Sequence, residues 1–183
     1  MEIFEQLRLA LGCAPATPAV DQRAVVTSRV KDLFEQCADR PHALTHFEAL
    51  LCAHGFCYLD SGLCRKVFVK DGVVVKVSFR SWSNGGDQNN IEAENSVHYP
   101  SLTPTLYAHL HSKAKGTTED GKHYTDDGHL NVLIAREVKR GTPHGYSERQ
   151  RCTLERTFAD LHGNNIGHIG RRLVALDTGA SLA

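Results

Sequence analysis

The sequence has no apolar run of the roughly 18 residues that a membrane-crossing helix needs, and no net charge, since 21 basic residues balance 21 acidic ones. The first absence argues against a membrane span. The second argues against nucleic acid or an anionic membrane as the main partner. There is no C-x-x-C pair among the cysteines Cys13, Cys37, Cys52, Cys57, Cys64 and Cys152. Three of them fall inside apolar patterns, where a free thiol packs as a small hydrophobe, so reduced structural cysteines are expected. Histidines are numerous but scattered. His109 and His111 would share one face of a strand, a pair without the further ligands of a structural zinc site. There is no H-E-x-x-H motif and no internal repeat. The opening segment MEIFEQLRLALG is too acidic to read as a signal peptide, and a cytoplasmic protein is the expectation.

What is present is the composition of a globular domain, 41% hydrophobic and 23% charged over 183 residues. That length suits one domain, or one domain with a helical extension. The first third has helical periodicity. Ile3, Phe4, Leu7 and Leu11 form a short stripe ending at Gly12. Val26, Val30, Leu33, Phe34 and Cys37 predict a second helix over 21–38 with one buried face. A third follows from Pro41, with Leu44, Phe47 and Leu51 as its stripe and Gly55 as its stop.

From Phe56 the period changes to two. FCYLDSGLCRKVFVKDGVVVKVSF contains three short strands, and Asp71-Gly72 is a strong two-residue hairpin signal. A helix is expected around NNIEAENSVHY, then strands at LTPTLYAHLH and LNVLIAREV with a polar loop between them. One more helix is expected over 147–159, then a turn at DLHGNNIG and a last apolar strand, RLVALDTG.

Several polar residues fall in an order that phosphoryl transfer can use, since that chemistry asks for a lysine on phosphates, a carboxylate to fix it, metal ligands and a proton acceptor. Lys76 lies near the end of the run VVVKV, and strand alternation places Val74 on its face. Two acids, Glu92 and Glu94, lie in the following helix about 200° apart, so only one can face Lys76. Glu94 is preferred because Val97, three residues on, reads as an inward apolar position; Glu92 is the alternative. Asp160-Leu161-His162-Gly163-Asn164-Asn165 is followed by Asp177-Thr178-Gly179 at the end of an apolar strand.

This combination resembles the protein-kinase-like superfamily, and DLHGNNIG resembles the D-x-H-x-x-N loop of aminoglycoside- and choline-type phosphotransferases and of short kinase-like bacteriophage proteins. The resemblance covers about residues 56–179. It implies an α+β, protein-kinase-like fold: a five-stranded antiparallel small lobe, a strongly reduced C-terminal lobe and an N-terminal helical segment, divided as 1–54, 55–138 and 139–183. The implied activity is ATP- and Mg2+-dependent transfer of a phosphoryl group to a protein or small-molecule hydroxyl. Asp160 would orient or deprotonate the acceptor, and Asn165 and Asp177 would hold magnesium. The turn from Leu59 to Val67 resembles the kinase glycine-rich loop with only its middle glycine kept, and that glycine, Gly62, would let backbone approach the phosphates. Val67, Val74, Ala135 and Val138 would surround the adenine, whose edge would meet the backbone of Arg136 to Val138.

The departures are also plain. Phe158 and Ala159 stand before Asp160 where a histidine and its follower are usual, and Thr178 replaces a phenylalanine. There is no activation segment and no A-P-E motif. A second reading is therefore a kinase-scaffold binding protein that contacts a partner, such as a host protein if the gene is viral, or a second copy as a homodimer. The underside of the last hairpin, with Leu173, Val174 and Leu176, needs cover, and residues 21–54 are expected to supply it, in cis or across a dimer.

Overall fold

The structure, a computed structural model, describes residues 21–38, 40, 42–61, 65–78, 88–112, 130–142, 146–158, 161 and 163–178. The expected first helix at Ile3–Leu11, Pro41, Gly62, Asp160, Gly179 and the polar loop at 113–129 lie outside the described residues, as do Cys13 and Cys64. Helix α1 is Gln22–Cys37 and α2 is Ala43–Ala53. Strands β1 (Cys57–Ser61), β2 (Arg65–Lys70) and β3 (Val73–Ser78) precede α3 (Gln88–His98). Then come β4 (Leu106–His111), β5 (Asn131–Arg136), β6 (Lys139–Arg140), α4 (Glu148–Thr157), a 3-10 turn at Gly163–Asn165, β7 (Ile166–Ile169) and β8 (Arg172–Ala175).

The fold is α+β, with four helices among the described residues. Its main sheet is five-stranded and antiparallel, in the order β1-β2-β3-β5-β4. The hairpin between β2 and β3 turns on Asp71 and Gly72, at φ of 47° and 78°. Positive φ at both central residues is the geometry that twists with the flanking strands, and it is why Asp-Gly sits there. A second sheet joins β6, β7 and β8.

Strand alternation gives the main sheet two different faces. On one, Val73, Val75 and Val77 of β3 join Phe68, Val132 and Ile134 beneath Val26, Val30, Leu33, Phe34, Phe47 and Leu51 of α1 and α2. Each of these apolar side chains adds on the order of 1.5–3 kcal/mol by leaving water. Within the chain the two helices therefore cover the sheet, and the expectation that they cover the last hairpin in cis is corrected. That hairpin has its own small core: Ile166, Leu173 and Ala175 pack with Leu154 and Phe158, flanked by Tyr99, Leu102, Tyr146 and Leu161. The valine run of β3 outcompetes the hairpin for the helical stripes because it offers a longer apolar surface.

The other sheet face carries Arg65 and Val67 of β2, Val74 and Lys76 of β3, and Leu133 and Ala135 of β5, as the pairings Val67↔Lys76, Lys76↔Leu133 and Val74↔Ala135 require. Helix α3 lies on this face, with Ala93 against Leu133 and Ala135. Among the described residues no helix is long and apolar enough to cross a membrane. Of the described cysteines, Cys37 is buried, and burial raises its thiol pKa. Cys52, Cys57 and Cys152 are exposed.

Candidate functional site

Between the second face of the main sheet and the second sheet lies a cleft of about 730 Å3. Lys76, Val67, Val74, Ala135, Val138, Asn165 and Asp177 all line it, brought together from β2, β3, β5, the segment after β5 and the two ends of the β7–β8 hairpin. Asn165 and Asp177 adjoin because the Leu176 N–H donates to the Asn165 carbonyl at 2.7 Å, closing the hairpin's open end. Gly167 makes this approach possible: a Cβ there would stand 2.7 Å from Val138 Cγ1 and 2.9 Å from Leu176 Cδ2 and the Lys139 carbonyl.

The carboxylate that reaches Lys76 is Glu92, and the choice of Glu94 is corrected. Lys76 Nζ donates to Glu92 Oε1 at 2.5 Å and to the Leu176 carbonyl at 2.6 Å. Glu92 is 2% exposed, whereas Glu94 faces solvent. Val97, the apolar residue that favoured Glu94, is itself 72% exposed. The inward face of α3 is instead largely polar. Asn89 donates to the Lys76 and Asn131 carbonyls, each at 3.0 Å, and Asn95 donates to the Thr178 carbonyl at 2.9 Å. These amides fix the helix to β3, to β5 and to the Asp177 turn at once, satisfying groups that burial would otherwise leave costly.

The sequence reading also passed over Arg65. Its guanidinium is buried and forked: Nη1 donates to Glu92 Oε2 at 2.6 Å and Nη2 to Asp177 Oδ1 at 2.8 Å. Arg65, Glu92, Lys76 and Asp177 thus form one ionic chain of two cations and two anions. Burial opposes the charge on Arg65, but the two carboxylates outweigh it and raise its pKa. For Lys76, burial is the largest influence and Arg65 adds to it, so its pKa is lowered despite Glu92. A signal for Arg65 existed. It lies two residues before Val67 on the same strand, and so on the same face.

The mouth of the cleft is bridged by an exposed ion pair, Arg140 Nη2 to Asp60 Oδ2 at 2.9 Å. The hydrogen bond from Arg140, with one from the Ser61 N–H, lowers the Asp60 pKa. Along the segment after β5, the N–H groups of Arg136 and Glu137 already donate to the Thr105 and Gly72 carbonyls, at 2.8 and 2.9 Å. Chemically, the cleft offers an apolar slot beside a buried cation pair and a partly exposed carboxylate. Such a site accommodates a flat ring joined to an anionic group. Comparison with family models, curated proteins and solved structures returned no match to this chain.

Proposed function

We propose that the chain is a kinase-like phosphotransferase that takes ATP and magnesium in this cleft. The observation that carries the reading is the Lys76–Glu92 ion pair, a third-strand lysine held by a carboxylate of the following helix. That is the arrangement phosphoryl transfer uses to fix a lysine on nucleotide phosphates. Its position after three strands and one helix, ahead of two further strands, supports the same reading. The adenine would lie between Val67 and Val74 on one side and Ala135 at the back, with Val138 at its edge, since Arg136 and Glu137 have committed their N–H groups. In this reading α4 and the second sheet take the place of a strongly reduced C-terminal lobe.

Asn165 and Asp177 both line the cleft, and an amide and a carboxylate oxygen are the hard donors that magnesium prefers. Arg65 occupies Asp177 Oδ1, so full ligation there would require Arg65 to leave that oxygen. A magnesium ion there supplies charge neutralisation of the phosphates. The protein's own part is to orient the triphosphate with Lys76, to narrow the water-accessible space around it, and to hold the acceptor hydroxyl's proton on Asp160. The acceptor is a protein or small-molecule hydroxyl.

One observation favours the second reading, a kinase-scaffold binding protein: a guanidinium already neutralises the Asp177 carboxylate. Incubation with γ-labelled ATP and magnesium separates the two. Label appearing on the protein or on a lysate component, and absent with Asp177→Asn, supports transfer. ATP binding without any label transfer supports the binding protein.

A further inference from the structure

The Asp177 carboxylate has a cation before any metal arrives. Arg65 lies on β2 at the position where the resemblance to a glycine-rich turn would put the last glycine, and its side chain runs along the cleft face of the sheet. Only 5% of it is exposed. Its two nitrogens hold Glu92 and Asp177 at 2.6 and 2.8 Å. Lys76 gives two of its N–H donors to Glu92 and the Leu176 carbonyl and acts on Asp177 through space. Arg65 is the cation in direct contact with Asp177, in a cleft that screens charges less than bulk water does.

We infer that Arg65 is a built-in competitor for the divalent cation at Asp177, so that metal enters the site fully only when Arg65 leaves that carboxylate. This rests on the phosphotransferase reading of the site and adds its regulation. Two facts of geometry lead to it. A dication bound to Asp177 with Arg65 in place would sit within a few ångströms of the guanidinium, a like-charge contact in a low-dielectric cleft. And the guanidinium fork that fits a carboxylate also fits phosphate oxygens. A nucleotide phosphate thus gives Arg65 another anion to hold, releasing Asp177 to the metal. Metal alone binds weakly, and metal with nucleotide binds together.

The test is binding of manganese to the nucleotide-free protein, read from the loss of the free-ion signal in electron paramagnetic resonance. Arg65→Met keeps much of the stem and removes the charge, and should tighten manganese binding about ten-fold or more. Asp177→Asn in the same background should abolish the gain. Arg65→Lys, which keeps one charge but cannot fork to both carboxylates, should lie between, and carries the test if Arg65→Met does not fold. Equal or weaker manganese binding by the Arg65 variants overturns the competition while leaving the metal site itself standing. No manganese binding by any variant overturns both the competition and the metal site.

Discussion

Replacing Glu92 with glutamine removes one charge from a chain of four that is largely buried except at Asp177. The carboxylate now accepts from Lys76 at 2.5 Å and from Arg65 at 2.6 Å. Glutamine keeps one acceptor oxygen, but its amide nitrogen would face whichever cation stands at the other position, donor against donor. Asp177 alone would then balance two buried cations. Removing one partner of a buried pair costs about 3–5 kcal/mol, because the charge left behind stays out of water. For a chain of this size about 1 kcal/mol moves the melting temperature by roughly 2–4 °C, so the expected drop is roughly 6–20 °C. Glu94→Gln, at a solvent-facing position of the same helix, should stay within about 0.5 kcal/mol. Urea unfolding followed by circular dichroism measures both variants against the parent. A Glu92→Gln loss under about 1 kcal/mol, or a Glu94→Gln loss exceeding it, would refute the assignment of Glu92 as the keystone.

Three further outcomes follow from the geometry. Gly167→Ala would push a methyl into Val138, Leu176 and the Lys139 carbonyl, costing about 1–3 kcal/mol in urea unfolding and weakening nucleotide binding by shifting the cleft wall; an unchanged midpoint and affinity would mean that the contact relaxes freely. Phe47→Ala, at a fully buried ring packed edge-to-face on Phe34, should cost about 3–5 kcal/mol; a loss under about 1 kcal/mol would show that α1 and α2 are loosely attached. Burial lowers the Lys76 pKa, so its neutral, reactive amine is populated at lower pH than that of an ordinary lysine. An adenosine-tethered sulfonyl fluoride should therefore label Lys76 at lower pH than it labels an exposed lysine. Glu92→Gln, which removes an interaction that raises this pKa, should shift the labelling profile to still lower pH; a shift upward would contradict the electrostatic account.

Much of the fold was legible because it rests on periodicity. The valine alternation of β3, the Asp71-Gly72 turn and the stripe Val26, Val30, Leu33, Phe34 each express one physical requirement directly in sequence. The partner of each stripe was less legible, since an apolar face shows that it must be covered and not by what. The hairpin of β7 and β8 is covered by Leu154 and Phe158, close in the chain, and the helices cover the more extensive valine face. Within the site, hydrophobic patterning misled at α3. That helix turns Asn89 and Glu92 inward and leaves Val97 in water, because its neighbours there are carbonyls and cations. Arg65 was obscured by its place at the end of a turn, where the resemblance calls for glycine; only the strand parity it shares with Val67 points to the cleft.

The proposed function makes this cleft a nucleotide site organised by Lys76. Calorimetric titration of the full chain with ATP and magnesium tests it most directly. One-to-one saturable binding, weakened about ten-fold or more (about 1.4 kcal/mol) by Lys76→Met and unchanged by Glu94→Gln, is the predicted result. The absence of saturable heat at ATP concentrations of about 1 mM, or binding indifferent to Lys76→Met, would contradict it.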